Sequence, residues 1–325
     1  MDAVRVAFIG AGGVAKRHAR TLLGFEDVRV VGVADPVPDR AQDLASSTGA
    51  RAYPDYHDML ADESIDALYI CVPPFAHGEP ELTAISAGLP FLVEKPVAID
   101  LVTAESIAEA VQARGLITCV GYHWRYLDTL ERAQELLGDG RQAQLVLGYW
   151  LDKVPDRPWW AHRGLSGGQV IEQTTHILDL ARVLVGEVDE VYAVGAASQR
   201  ASDNPTANID AATAATLRFC AGAVGMVAST SLCRSLHRSS LELFADGLRI
   251  EFSETALVVD VGRGAELHEA RGNARSRPDR DFIDAVQGKP NLIRVPYAEA
   301  LQTQRLGWAI TRSAAEGKPV APADS

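Results

Sequence analysis

Val4-Arg5-Val6-Ala7-Phe8-Ile9-Gly10-Ala11-Gly12-Gly13-Val14-Ala15 decides the fold. A short apolar run from Val4 to Ile9 passes without a polar break into a glycine cluster, and a helical pattern opens directly behind it at Val14. A strand, a tight glycine turn and a helix in that order are how a doubly wound parallel sheet begins. The cluster fits Gly-x-Gly-x-x-Ala. Gly10 permits the turn, Gly12 lets the backbone approach a pyrophosphate, and Ala15 lets the helix pack closely, while amides at Gly13 and Val14 face negative charge. Such a cluster also serves as an ordinary turn, so the dinucleotide reading needs a second residue.

Asp35 is that residue, standing at the end of the second apolar run, 28–34. A carboxylate there accepts hydrogen bonds from ribose hydroxyls and repels a 2′-phosphate, which favours NAD over NADP. Arg40 is the nearby residue that softens this preference. The competing role for Asp35 is to cap the helix that follows Pro36.

Outward from this core, apolar runs at 67–72, 91–93 and 116–120 alternate with helical patterns at 14–23, 39–46, 80–87 and 103–114. Several runs are apolar throughout, as strands covered on both faces require. The sequence therefore predicts an α/β Rossmann domain, doubly wound, over residues 1–122. After Tyr122 the rhythm changes. Helices at 130–137 and 169–185 frame a strand at 144–151 and a loop at 154–168, and six strand patterns follow between 191 and 261 with turn signals such as Asp246-Gly247. This predicts an α+β second domain, 123–325, built on a large, mainly antiparallel open sheet. Its tail carries helical patterns at 281–286 and 297–315, and the polar stretch 263–279 reads as an exposed connection.

Composition narrows the partners. The 325 residues carry a formal net charge of −12 with no run of Lys or Arg to offset it, so nucleic acid and anionic membranes are not expected. No segment reaches about 18 uninterrupted apolar residues, so no membrane span is expected either. The N-terminus enters the first strand without an export leader, and the chain is expected to work in the cytoplasm. Cys71, Cys119, Cys220 and Cys233 form no Cys-x-x-Cys pair and read as reduced core residues, with no metal site expected.

Further motifs carry a resemblance. Tyr69-Ile70-Cys71-Val72-Pro73-Pro74-Phe75-Ala76-His77 is followed by Val93-Glu94-Lys95-Pro96, then by Gly121-Tyr122-His123-Trp124-Arg125-Tyr126, and by Gly167-Gly168 leading through His176 to Asp179. With the glycine loop and Asp281-Phe282-Ile283-Asp284, these resemble the glucose-fructose oxidoreductase / inositol dehydrogenase (Gfo/Idh/MocA) family over nearly the whole chain. The resemblance implies an NAD-dependent oxidoreductase acting on a secondary alcohol or ketone of a sugar, glycoside or cyclitol such as inositol. It implies that Lys95 sits beside the nicotinamide, that His176 is the general base, and that the acid four positions earlier and Asp179 bind substrate hydroxyls. Val72, Pro73, His77, Glu94 and Arg125 join the cofactor shell by the same resemblance, and Tyr122 the substrate shell; His77 has helix capping as its alternative. A homodimer or homotetramer through the second-domain sheet is likewise implied.

The residues support this chemistry independently. A lysine after an apolar strand, fixed by a following proline, projects one ammonium at the C-terminal edge of a parallel sheet, where ligands bind. Spaced along an ideal helix, Glu172, His176 and Asp179 fall within about 60° of one another and make a polar stripe on an otherwise apolar surface. Such a stripe needs partners or a cleft. Flanking carboxylates orient an imidazole and favour its protonated form, which suits proton transfer. Family members commonly carry Asp where this chain has Glu172, so Glu172 is open to three roles: orienting His176, contacting substrate, or pairing with Lys95. Trp159, Trp160 and Arg163 offer indole faces for sugar C–H groups and a cation for hydroxyls, with core packing the alternative for the tryptophans. The expectation is an ammonium and an imidazole acting on one carbinol. Two rivals remain open, an NAD-dependent glycosidase working by transient oxidation and a non-catalytic NAD-binding protein.

Overall fold

The structure is a computed structural model that describes residues 3–138, 140–197 and 207–324. It divides into two compact units, Met1–Ala98 with Val102–His123 and Arg275–Ala300, and Ile99–Leu101 with Trp124–Ala274 and Leu301–Ser325.

The first unit is built on six strands: β1 (Val4–Ile9), β2 (Val28–Ala34), β3 (Arg51–Tyr53), β4 (Ala67–Ile70), β5 (Phe91–Val93) and β6 (Thr118–Val120). They pair in parallel in the order β3-β2-β1-β4-β5-β6. Every residue of β4, β5 and β6 is buried, which explains the unbroken apolar sequence of β4 and β5; the one polar residue, Thr118 of β6, accepts from the Tyr297 amide at 3.0 Å. The strand order reverses between β1 and β4, and ligands of such sheets bind in the crevice outside the strand ends at that reversal. Gly10, Asp35, Cys71, Glu94 and Gly121 each follow directly on, or one residue beyond, the C-terminal ends of β1, β2, β4, β5 and β6.

The sequence predicts neither β3 nor the helix Tyr56–Asp62, because three residues are too few to show an alternation. Asp55, whose carboxylate accepts from the His57 amide at 2.7 Å, is the legible sign of that helix. A larger departure concerns the C-terminal tail. Residues 275–300, expected in the second domain, belong to the first unit. Helix Arg277–Val286 buries Phe282 and Ile283 completely in the core of Phe8, Leu92 and Tyr69, with the Tyr69 and Phe282 rings edge-on at 5.6 Å. The stretch 263–279 is not simply an exposed connection either, since it holds a strand and the fully buried Asp279.

The second unit carries eight strands: β7 (Leu145–Leu151), β8 (Val188–Ala197), β9 (Asp210–Phe219), β10 (Val224–Thr230), β11 (Arg238–Ala245), β12 (Leu248–Ser253), β13 (Ala256–Asp260) and β14 (Ala265–Glu269). Their order is β14-β13-β12-β11-β7-β10-β9-β8, antiparallel except for the parallel pair β7 and β10. One face packs Val146, Val227, Leu241 and Leu243 against Ile177, Leu178 and Ala181 of helix Thr175–Val185. Along β9 buried and outward residues alternate, the pattern of a sheet with one open face.

No described helix is long and apolar enough to cross a membrane. Cys71 and Cys119 are buried, but Cys220 is exposed and Cys233 half-buried, so only two of the four thiols expected in the core lie there. Cys220 follows the alternating strand β9 and falls in the turn beyond it, which its neighbours Phe219 and Ala221 in sequence do not reveal. Phe282→Ala tests the assignment of the tail. Emptying that site is expected to cost the first unit about 3–5 kcal/mol, read as a lowered midpoint in urea unfolding; an unchanged midpoint would detach helix 277–286 from that core.

Candidate active site

The glycine loop is shaped by two different constraints. Gly10 has φ 92°, and a Cβ there would stand 2.4 Å from the Cys71 carbonyl oxygen, so only glycine fits. Gly12 has φ −72° and its Cβ would meet no atom within 4 Å. Neither backbone strain nor packing requires glycine at 12. The cleared space lies at the N-terminus of helix Gly13–Leu22, whose first amides have no partner within the helix, and this is a fit for a pyrophosphate. Val14 is half-buried beside it and Ala15 fully buried beneath.

Asp35 is 7% exposed. Its Oδ2 accepts from the Ala11 amide at 2.9 Å and its Oδ1 from the Val37 amide at 2.9 Å. The carboxylate thus ties the glycine loop to the end of β2. It is not the cap of the following helix, since Val37 holds the N-cap position of Pro38–Thr48. Each carboxylate oxygen has a further acceptor direction for a ribose hydroxyl. Arg40 is exposed in the first turn of that helix.

Beyond β4, Val72 and Pro73 are half-buried and lead into the short turn Pro74–Ala76. His77 Nδ1 lies 2.6 Å from Glu81 Oε1, and Glu81 Oε2 accepts from the Gly78 amide at 2.7 Å. Gly78, not His77, is the N-cap of helix Glu79–Ser86. Glu81, buried without exposed surface, both caps the helix and holds the imidazole.

Beyond β5, Lys95 is half-buried and joined to Pro96 by a cis peptide bond. Glu94 before it turns into the protein. Its Oε1 meets His18 Nε2 at 3.0 Å and accepts from Arg17 at 3.0 Å, and His18 Nδ1 meets Asp279 at 2.6 Å. Burial opposes the imidazolium, but Asp279 and Glu94 together raise His18 to about 9. Burial also opposes the Glu94 carboxylate, and His18 and Arg17 overcome it, holding Glu94 at about 2. Gly121 makes room for this arrangement, because a Cβ there would stand 2.6 Å from the Glu94 carboxyl carbon. The sequence does not point to His18 or Asp279 as charged partners. His18 does lie on the helix face of Ala15, Ala19 and Leu22, which signals a buried imidazole. Asp279, far along the chain, carries no such signal.

In the second unit the predicted helix over 169–185 runs unbroken, but it opens with a π turn at Val170–Thr174 before the α-helix Thr175–Val185. The wider turn breaks the uniform spacing on which the expected stripe rests, and its three residues lie in different surroundings. Glu172 Oε2 accepts from the Trp160 indole at 3.0 Å. His176, 5% exposed, packs on Trp124 at 5.6 Å and Trp150 at 5.9 Å between ring centroids, while the two indoles are 6.0 Å apart. The three rings form a near-equilateral cluster. Asp179, 1% exposed, accepts both Nε and Nη2 of Arg125 at 2.6 and 2.8 Å, and the Thr303 hydroxyl at 2.8 Å. Thr303 in turn accepts from Arg182, which pairs with Glu187.

These placements correct several expectations. Arg125 and Asp179 neutralise each other in the interior, so the expected direct contacts with cofactor and substrate hydroxyls are replaced in this structure by a contact with each other. Tyr122 and Trp160 expose no surface, so neither ring offers a face to a sugar. Trp159 is half-buried, and Arg163 pairs with Asp210 at 2.8 Å while its amide donates to Asn208 at 2.6 Å. Trp124, Trp150 and Thr303 surround the helix without having been singled out by the sequence.

The glycine loop, the acid after β2 and the doubly wound sheet define an NAD-binding oxidoreductase. The chain belongs to the Gfo/Idh/MocA family: residues 4–122 match the oxidoreductase family domain with an NAD-binding Rossmann fold, and residues 132–251 match the GFO/IDH/MocA C-terminal domain. The chain is 25% identical to a myo-inositol 2-dehydrogenase of Thermotoga maritima over 80% of this chain and 79% of the relative. It is 29% identical to the uncharacterized oxidoreductase YrbE of Bacillus subtilis over 96% and 94%. Among solved structures, the WlbA dehydrogenase from Bordetella pertussis, in complex with NADH and UDP-GlcNAcA, matches with a TM-score of 0.85 and 25% identity over 98% of each chain.

The buried ions predict a pH dependence. His18 is raised from 6.5 to about 9, so its contribution to stability is fully present below pH 6.5 and is lost as pH rises through about 9. Glu94 is lowered from 4.5 to about 2, so its contribution is present above 4.5 and is lost as pH falls through about 2. The melting temperature is expected to decline between pH 6.5 and 9, and His18→Asn to start lower and lose that slope. Equal slopes in both proteins would contradict the assignment.

Proposed function

We propose that the protein is an NAD-dependent dehydrogenase that interconverts a secondary alcohol and a ketone on a polyhydroxylated ring, a sugar, glycoside or cyclitol such as inositol. The observation that carries the reading is Lys95, half-buried at the end of β5, on the same sheet edge as the space cleared at Gly12. The inositol dehydrogenase relative and the sugar-nucleotide dehydrogenase neighbour support the substrate class.

In this reading Gly10, Gly12, Gly13 and Val14 hold the pyrophosphate, Asp35 the adenosine ribose, and Val72, Pro73 and His77 line the path beyond. NAD, when bound, supplies the hydride acceptor. Lys95 donates to the reacting oxygen and stabilises alkoxide charge as it develops, and His176 takes the hydroxyl proton. The indoles of Trp124 and Trp150 fix the imidazole plane. Glu172, held by Trp160, contacts substrate hydroxyls, with Trp159 and Arg163 nearby in sequence on the preceding loop.

NADH formation at 340 nm across a panel of inositols, aldoses, glycosides and nucleotide sugars tests the function. Lys95→Ala and His176→Asn are expected to lower kcat by about 100-fold or more with NAD affinity nearly intact. Wild-type turnover in either variant, or no absorbance change with any panel member, overturns the reading.

We further propose that two copies associate through the open face of the second-unit sheet. Register places Leu145 beside Val224, and Met226 beside Thr216 and so next but one to Tyr192, and all four apolar side chains are exposed. Exposed apolar side chains gathered on one sheet face in this way favour association. Light scattering is expected to give a dimer or tetramer for the native chain and a smaller species for Met226→Glu; a native monomer refutes the contact.

A further inference from the structure

Glu94 and Lys95 are neighbours in sequence, and their opposite charges lie close enough to attract each other. Here the carboxylate is taken from the other side. Helix Gly13–Leu22 presents Arg17 and His18 in succession to the same Glu94 oxygen, both at 3.0 Å, and helix Arg277–Val286 backs His18 with Asp279 at 2.6 Å. Glu94, His18 and Asp279 are all buried, while Arg17 keeps about a third of its side-chain surface exposed.

The other titratable groups packed around His18 add no charge. Tyr69, whose ring lies 5.4 Å from the imidazole, is pushed well above its ordinary range by burial and by Asp279. The Cys71 thiol is pushed up by burial and by Glu94 and Asp279. Two negative and two positive charges therefore make up the cluster. Glu94 also feels Lys95, the last and weakest of the influences that hold it ionised.

We propose that His18 is a positioning residue for Lys95: its imidazolium satisfies Glu94 from within the core, so that this carboxylate does not capture the adjoining ammonium. The arrangement costs an ion buried between two others, and a plain hydrophobic contact would pack the same helices without that cost. A charge that only clamped helices would do so wherever the helices cross. This one is directed at the residue preceding the lysine at the sheet edge. The consequence for catalysis rests on Lys95 being the reacting lysine; the charge relation itself does not.

The test follows charge arithmetic. With His18 protonated, the native sum over Glu94, His18 and Asp279 is −1 and Asp279→Asn makes it 0; His18→Gln makes it −2, and the double variant restores −1. The readout is acetylation of Lys95 by limiting acetic anhydride at neutral pH, relative to exposed Lys153 in the same sample, measured by mass spectrometry with circular dichroism as the check on folding. A more negative surrounding stabilises the ammonium and slows acylation. His18→Gln is expected to slow Lys95 severalfold, Asp279→Asn to speed it severalfold, and the double variant to return it close to native.

The return in the double variant is what a merely structural role would not give, since removing a second buried group should worsen packing. Should His18→Gln fail to fold, the opposite sign expected of Asp279→Asn carries the test alone. Unchanged labelling in Asp279→Asn, or labelling that tracks lost stability without rescue, overturns the proposal. It would leave the dehydrogenase reading in place, which fails on turnover by Lys95→Ala.

Discussion

An imidazolium buried between two carboxylates holds the nucleotide-binding unit together at the edge where its parallel strands end. His18 comes from the helix behind the glycine loop, Glu94 from the end of β5, and Asp279 from a helix some 260 residues downstream of the loop. Apolar packing alone tolerates sliding of such elements, because dispersion and burial are nearly indifferent to small shifts. Short charge-assisted hydrogen bonds are not, and breaking a buried pair on one side costs about 3–5 kcal/mol. The three segments are therefore fixed relative to one another, and with them the glycine turn and the turn that carries Lys95.

A second polar network plays the corresponding part in the other unit. Asp179 collects Arg125 and Thr303, and Thr303 collects Arg182. These residues lie three and six positions after His176 or on segments packed against its helix. These hydrogen bonds pin helix Thr175–Val185 at a buried level, while the indoles of Trp124 and Trp150 pack on His176. Each unit thus places an ionic cluster in its interior close in sequence to a residue proposed to act on substrate.

Much of this was legible in the sequence, and the limits of legibility have physical causes. Strands β1, β2 and β5 coincide with the apolar runs read from sequence, since their residues are mostly covered on both faces and the one charged residue in each of β1 and β2, Arg5 and Arg29, stays exposed near the strand's start. The cofactor loop was readable because Gly10 and Gly12 answer to local demands, a left-handed turn and a cleared volume. Long-range pairing was not. A buried Asp179 and an exposed one look alike in a helical pattern until Arg125 and Thr303 are brought to it, and the stripe it was assigned to assumed a regular helix that the π turn at Val170–Thr174 interrupts. Nothing in the polar stretch before Phe282 announces that Asp279 enters a core, because the group that compensates it lies in the first helix.

The same asymmetry bears on the proposed substrate recognition. The buried ions, the glycine turn and the aromatic cluster around His176 are constrained by partners inside the protein, and a change in any of them disturbs folding before it alters recognition. Trp159 and Arg163 keep accessible surface and sit on a segment whose regular structure is limited to the single turn Arg163–Ser166. Arg163 has a partner, Asp210, yet both keep about a third of their side-chain surface exposed, so water competes for each and the pair is weakly bound. A hydroxyl or carboxylate of a ring substrate can replace one member of such a pair at small cost, which it cannot do for Arg125 and Asp179. On the proposed dehydrogenase reading, recognition would therefore fall to the loop before helix Thr175–Val185, and the chemistry to residues held by their neighbours.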